Sequence, residues 1–293
     1  MNNDRLLYRR GILQLVASGF FLSTSGIALR IIEQADGWQI LFYRSLALSV
    51  TILLILVFQK GSRFFDEFRG LGWNDCLLAV FLGTGFVAYV FALLYNTVAN
   101  ALFIFSCAPF VAGFLGWILL GERVATRTWF AIGVTMAGLA VMVGSELAVS
   151  HYLGTLLALW IPIAYAASII AVRSSKRDNM LVALCLAGLV AGGLSAIFVT
   201  DYALTSRDLI ISIYLGVFQV GVGFTLVVLG SRYVPAAQVG LLALVEPVLA
   251  PVWAWMGVGE VPSLATIVGG TIIFLAITID GILNIKSSES HLT

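Results

Sequence analysis

Long apolar runs, separated by short polar connections, repeat along nearly the whole chain. Each run has about 20 residues, the length that a helix needs to cross the hydrocarbon core of a bilayer. The connections carry most of the charges, as in the Arg-Ser-Ser-Lys-Arg-Asp segment at 173–178. The pattern predicts an all-α integral membrane protein with ten transmembrane helices, numbered here as spans one to ten. Their predicted bounds are 11–31, 38–58, 74–95, 98–120, 127–145, 153–172, 179–200, 208–230, 234–258 and 263–283.

Composition excludes several classes of protein. The 293 residues are 60% hydrophobic and 11% charged, whereas a soluble domain has about 25% charged residues. High apolarity excludes a disordered chain, and a net charge of +1 excludes the basic footprint of a nucleic-acid-binding protein. The cysteines have no metal-ligand or CxxC spacing, so we interpret them as packing residues and expect no metal, no cofactor and no disulfide. They are Cys76, Cys107 and Cys185.

Basic residues are distributed unequally over the two sides of the predicted bundle. Thirteen of the 16 Lys and Arg residues fall on the side of the N-terminus, Arg30 and Arg207 fall on the other, and Arg44 lies inside span two. Cytoplasmic connections retain positive charge. We therefore expect both termini in the cytoplasm and the protein in the cell (inner) membrane, with the lipid bilayer as its surroundings.

Because of an internal repeat, we expect the first apolar run to belong to the fold and not to be a cleaved signal peptide. A shift of 143 residues places span one on span six, with Ser25 on Ser168 and Arg30 on Arg173. A shift of 138 places spans three to five on spans eight to ten without a gap, as in Pro109 on Pro247. Five spans is an odd number, so the second copy must be inverted in the membrane, as in alternating-access carriers. The predicted domains are residues 1–148 and 149–293.

These repeated segments resemble the drug/metabolite transporter superfamily, specifically its EamA-type branch. The resemblance is carried by the stretch from Pro109 to Gly121-Glu122-Arg123, its second copy from Glu246-Pro247 to Gly259-Glu260, and Arg44 in Phe42-Tyr43-Arg44-Ser45. It covers essentially the whole chain. It implies a ten-helix bundle with a central cavity that moves small organic solutes, without indicating which solute.

Glu246 is a charged residue within a span, and such a position is costly unless it has a function or a partner. It lies about 12 residues, or roughly 18 Å, into span nine, and Pro247 and Pro251 weaken the helix around it. Either it lines a substrate cavity, or it binds neighbouring backbone and hydroxyl groups to hold a kinked helix. In the cavity, its carboxyl group could also couple protons to substrate.

Arg44 lies about 9 Å from the outer end of span two. Its guanidinium could extend to the outer headgroups, or it could face the cavity and meet Glu246 or a substrate carboxylate. Because the two charges lie at nearly the same depth, we expect them to pair directly or through water in the second case. One positive and one negative charge would suit an amino acid-like zwitterion or a neutral amphiphile.

Weaker candidates at similar depth could stack on a substrate or orient it. Each of them could equally be an ordinary packing residue. Pro162 aligns with Gly19 under the shift of 143, and both are predicted to interrupt a helix beside the substrate. Glu122 and Glu260 are predicted to bind the first backbone amides of spans five and ten. The weaker substrate-binding candidates are Trp160, Tyr165, Tyr89, Ser106 and Gln219.

A secondary active transporter with a small-molecule substrate is the favoured function, and no catalytic residue is predicted. The alternative is an intramembrane transferase or another multi-span enzyme, which would need a nucleophile and a base at membrane depth. Both histidines, His151 and His291, lie outside the spans. A channel would need a charge ring or filter segment that the sequence lacks. The substrate, transport direction, proton coupling and oligomeric state are left open.

Overall fold

The structure, a computed structural model, describes residues 2–61, 64–95, 98–143, 152–175, 177, 180–259 and 261–290, and regular structure within these ranges is helical. The α-helices are α1 Asn2–Leu22, α2 Ser25–Arg30, α3 Gly37–Lys60, α4 Phe64–Arg69, α5 Trp73–Tyr95, α6 Val98–Phe105, α7 Ala108–Leu120, α8 Thr126–Val143, α9 Tyr152–Ser174, α10 Leu181–Phe198, α11 Ser206–Tyr214, α12 Gly223–Gly230, α13 Ala236–Ala243, α14 Val245–Val258 and α15 Leu264–Ser290. A π-helical segment, Leu215–Val222, joins α11 to α12.

The multi-span membrane architecture agrees with the apolar pattern. Within the described residues, nine helical segments are long and apolar enough to cross a bilayer, and Thr126–Met142 is a shorter apolar helix at the position of span five. The predicted end of span five, at 145, lies outside the described residues. The chain is therefore a multi-pass helical membrane protein.

Several spans consist of two helices because the backbone breaks within the membrane. Span one breaks between α1 and α2, where the hydroxyl groups of Ser23 and Thr24 donate to the carbonyls of Phe20 and Phe21. Such local bonds compete with helical hydrogen bonds. The predicted breaks at Pro162 and Gly19 are wrong, because α9 runs continuously through Pro162 and α1 continues through Gly19 to Leu22. Neighbouring groups in a packed bundle can compensate for the helical hydrogen bond that a proline removes.

Spans four and nine break at equivalent positions. The break before α7 falls at Ser106 and Cys107, and the shift of 138 places these residues on Leu244 and Val245, where α13 gives way to α14. A proline in the first turn of each following helix, where its missing N–H is not needed, favours this geometry. Both helices also end on a left-handed glycine, Gly121 with φ 67° and Gly259 with φ 73°.

Helices of the first half pack mainly on helices of the second half. α5 lies along α9, α3 along α10, and α8 along α15, while α1 packs against α12. The two largest hydrophobic clusters both contain residues from the two halves. The centre of the molecule is therefore an interface between the halves, and the helix breaks of spans one, four and nine lie around it.

Candidate functional site

A small cavity lies at this central interface. The cavity has a volume of about 40 Å³, enough for about three waters at roughly 10–15 Å³ each. Helices from both halves line it, so a larger molecule could enter only if they moved apart. The lining residues are Leu22, Arg44, Leu82, Gly85, Phe86, Tyr89, Phe105, Ile161, Tyr165, Gln219, Phe224, Ala243 and Glu246.

The apolar wall of the cavity follows the internal repeat. Under the shift of 138, Phe86 aligns with Phe224 and Phe105 with Ala243, and both members of each pair line the cavity. The rings of Phe86 and Phe224 meet edge to face with centroids 5.0 Å apart. Leu22 and Tyr165, related by the shift of 143, form a third such pair. The cavity therefore lies where equivalent parts of the two halves meet.

The polar groups of the cavity do not follow the repeat. Glu246 aligns with Ala108, and Tyr89 aligns with Val227. The repeated helices therefore accept an apolar residue, Ala108 or Val227, at these positions. The polar residues are therefore not required by the repeated fold itself, and this favours a role specific to this chain.

Glu246 is placed by the break between α13 and α14. It is the second residue of α14, where a carboxylate interacts favourably with the helix dipole. Its side chain is buried, and its Oε1 accepts a hydrogen bond of 2.9 Å from the Tyr89 hydroxyl. Ser25 Oγ lies 2.8 Å from the same hydroxyl. Because tyrosine has one hydroxyl proton, Ser25 must be the donor to Tyr89 whenever Tyr89 donates to Glu246.

Arg44 faces the inside of the bundle. Its residue surface is 4% exposed, and its guanidinium carbon lies 5.6 Å from the ring centroid of Phe86 and 5.9 Å from that of Tyr89. These distances suit cation–π contacts. Within the described part of the chain, the guanidinium forms no ion pair or hydrogen bond. A direct pair with Glu246 is thus not formed, although both charges line one cavity, and pairing through water stays a prediction.

Gln219 lies in the π-helical segment and lines the cavity beside these charges. It is 2% exposed, and its Nε2 donates a long hydrogen bond of 3.4 Å to the Leu22 carbonyl. Its Oε1 is buried without a hydrogen-bond partner among the described residues. A buried polar atom without a partner is costly, and π-helical turns are frequent at functional sites. Gln219 is thus available to accept a bond from a ligand or a water.

Five of the seven residues predicted for substrate binding line the cavity: Glu246, Arg44, Tyr89, Tyr165 and Gln219. The other two lie elsewhere. Trp160 donates to Thr84 Oγ1 over 3.1 Å and stacks on Phe81. Ser106 is buried at the break before α7 and donates to the Phe103 carbonyl.

Sequence reasoning did not select Ser25, Phe86 or Phe224 as site residues. The repeat contained a signal for them. Each is identical to its repeat partner, and identical residues in two inverted copies can meet at the interface that relates them. The signal is weak by itself, because many glycine and alanine pairs also match.

The role predicted for Glu122 is wrong. Its Oε2 accepts a hydrogen bond of 2.9 Å from the backbone N–H of Ala236, at the start of α13, and its other oxygen pairs with Arg173. Both carboxylate oxygens of Glu122 are therefore occupied by groups of the second half and not by the first amides of α8. The matching prediction for Glu260 lies outside the described residues.

Comparison with known proteins identifies relatives that match most of the chain. A model described as the EamA-like transporter family matches residues 9–144 and 152–279. An uncharacterized transporter from Archaeoglobus fulgidus is 26% identical over 204 residues, covering 69% of this chain and 74% of the relative. A crystal structure superimposes with a TM-score of 0.79 at 18% identity, covering 93% of this chain and 98% of the other. At this identity the likeness to the crystal structure concerns the fold.

Proposed function

Because the chain belongs to the EamA-like transporter family, we propose that it is a secondary active transporter that moves a small organic metabolite by alternating access. The family and the relative's name indicate transport of small molecules across a membrane. The central cavity is the proposed substrate site. Its location between the two halves supports this assignment, because relative movement of the halves would expose it to one side at a time.

The charges of the cavity favour an amino acid-like zwitterion. The observation that carries this proposal is the separation of Arg44 and Glu246, which line one buried cavity without pairing directly. A substrate carboxylate could bind the guanidinium through two parallel hydrogen bonds, and a substrate ammonium could bind Glu246. Both buried charges would then be compensated. The surrounding Phe86, Phe105 and Phe224 would pack on the apolar part of the substrate.

Proton coupling is part of the proposal. Ser25, Tyr89 and Glu246 form a chain of hydrogen bonds, and a carboxyl group in such a chain can gain or lose a proton as the cavity opens. Protonation would remove the negative charge that holds an ammonium group. Proton uptake and release of the substrate amine would thereby be linked at one residue.

We further propose that residues 1–148 and 149–293 form inverted five-span repeats with both termini in the cytoplasm. The equivalent helix breaks in spans four and nine, and the left-handed glycines that end them, support the repeat. The excess of Lys and Arg in the connections on the side of the N-terminus supports this orientation. When α8 is counted as span five beside the nine longer spans of the described residues, the bundle has the ten spans expected from the resemblance.

Reconstitution into liposomes tests the function. The purified chain would be incubated with labelled amino acids, nucleosides and cationic drugs, with protein-free liposomes as the control. We expect saturable uptake of amino acids, and we expect an inward proton gradient to change the rate of this uptake. Uptake of another class would contradict the zwitterion assignment, and conversion of a substrate into a new compound would favour an intramembrane enzyme.

A further inference from the structure

Glu122 at the end of α7 and Arg173 near the end of α9 form an ion pair that joins the two halves of the chain. Arg173 Nε donates to Glu122 Oε1 over 2.5 Å, and Nη2 contacts the same oxygen. The two side chains are 18% and 17% exposed. A pair buried to this extent is screened less by water and salt than an exposed pair.

Further hydrogen bonds attach this pair to the second half. Arg173 Nη1 donates to the carbonyl oxygens of Ser231, over 2.9 Å, and Val234. Glu122 Oε2 accepts from the N–H of Ala236, the first residue of α13. The carboxylate therefore lies between a guanidinium and the N-terminal end of a helix, and both attract its negative charge.

Directly beyond the pair, α7 and α13 form a seam of small residues. A Cβ at Gly113 would lie 3.2 Å from the Cβ of Ala237, and one at Gly240 would lie 2.5 Å from the Cα of Pro109. Small residues allow helix backbones to approach this closely. Ala243, at the other end of α13, lines the central cavity. The seam thus separates the cavity from the face of the bundle where α7 and α9 end, here called the latch face.

The seam is not matched by its repeat counterpart. The shift of 138 places α7 on α14 and α13 on α6, so the equivalent seam would join α14 to α6. Within the described residues, α7 packs extensively on α13, whereas α6 and α14 have no comparable contact. Spans four and nine are thus closed against each other at the latch face and not at the opposite face.

We infer that the Glu122–Arg173 pair is a releasable latch that holds the α7–α13 seam closed and so controls access to the cavity from the latch face. The inference rests on the proposed function in one respect, since access matters only if the cavity is the transport site. In the proposed cycle, the contacts of the pair with Ser231, Val234 and Ala236 exist only while the seam is closed, and breaking the pair removes them. It therefore shifts the population toward the state open at this face.

Thiol labelling at the seam tests the latch without a substrate. Ala237→Cys is introduced into a background with Cys76, Cys107 and Cys185 replaced by serine, and its reaction with a water-soluble maleimide is followed in detergent. Glu122→Gln should accelerate the reaction about fivefold to tenfold, equivalent to roughly 1–1.4 kcal/mol. The matched control is Asp66→Asn, which removes an exposed ion pair within α4. Equal rates in Glu122→Gln and the control would overturn the latch.

A second variant and an engineered disulfide across the seam complete the test. If Glu122→Gln does not fold, Arg173→Lys is the second variant, because lysine retains the positive charge but lacks the planar guanidinium group. We expect maleimide labelling of Ala237→Cys to be about threefold faster in this variant, and an unchanged rate would overturn the proposal.

A disulfide across the seam tests whether opening is needed for transport. Gly113→Cys combined with Ala237→Cys should form a reducible disulfide that abolishes uptake by liposomes until a reductant is added. Accelerated labelling, together with uptake that continues when the disulfide is formed, would support the latch and contradict the proposed transport path.

Discussion

Tyr89 in the first half of the chain donates a hydrogen bond of 2.9 Å to Glu246 in the second half, 157 residues away. The same tyrosine ring lies 5.9 Å from the guanidinium carbon of Arg44. Tyr89 thus contacts both buried charges of the cavity, one through its hydroxyl and the other through its ring. The following predictions separate the roles of these three residues.

Replacing Glu246 with glutamine should abolish the pH dependence of transport and weaken substrate affinity about tenfold or more. A hydrogen bond to a charged group contributes roughly 1.5–3 kcal/mol, and the substitution removes the charge while preserving the side-chain volume. Uptake would be measured in liposomes over a range of pH. Tyr89→Phe is the matched comparison, because it removes the hydroxyl and retains the ring. Unchanged affinity and pH response in Glu246→Gln would remove this carboxyl group from the mechanism.

Arg44 and Glu246 should show energetic coupling through the substrate. The affinities of Arg44→Gln, Glu246→Gln and the double variant form a double-mutant cycle. We expect a coupling energy above about 1 kcal/mol. A zwitterion held at both ends is positioned by both charges, so the second substitution should weaken affinity less in the double variant than it does alone. Arg44→Lys, which retains the charge without the planar fork, should bind more tightly than Arg44→Gln. Additive losses would place the two residues in separate environments.

Gly216 should be required for the position of Arg44. A Cβ at this residue would lie 2.3 Å from the backbone carbonyl oxygen of Arg44, so Gly216→Ala must displace α3 or the π-helical segment. We expect a destabilisation of about 1–3 kcal/mol, typical of overpacking, seen as a lower unfolding temperature in detergent. At Gly193 a Cβ would meet open space, and Gly193→Ala within α10 should be neutral or stabilising. Equal effects of the two substitutions would show that this close approach is not restrictive.

Cysteine labelling in intact cells should establish the orientation. On the cysteine-free background, Ser175→Cys should react with an impermeant reagent only from the cytoplasm, and Ala35→Cys only from outside. The expectation follows from the Lys and Arg residues in the connections, because positively charged connections are retained on the cytoplasmic side of a membrane. Labelling of Ser175→Cys from outside would reverse the orientation, and labelling of both positions from one side would contradict the span order.

The sequence alone determined the membrane class, most span positions, the repeat and the identity of the two charged residues that line the cavity. These properties are encoded locally. A span is a continuous apolar run, and a repeat is a fixed shift along the chain. Arg44 and Glu246 were identifiable because charged residues within apolar spans are rare and costly.

The tertiary structure decided which side chains meet. Trp160 and Tyr165 lie on the same helix at similar depth, yet only Tyr165 lines the cavity, because the rotation of α9 against its neighbours sets the direction of each side chain. The continuity of α9 at Pro162 and the contact of Glu122 with α13 likewise depend on neighbouring helices. Apolar spans have few sequence features that specify their rotation, since lipid and protein interior are both apolar. For that reason the sequence indicated the charged residues of the site, and the packing of the two halves decided that Arg44 and Glu246 share a cavity without pairing directly.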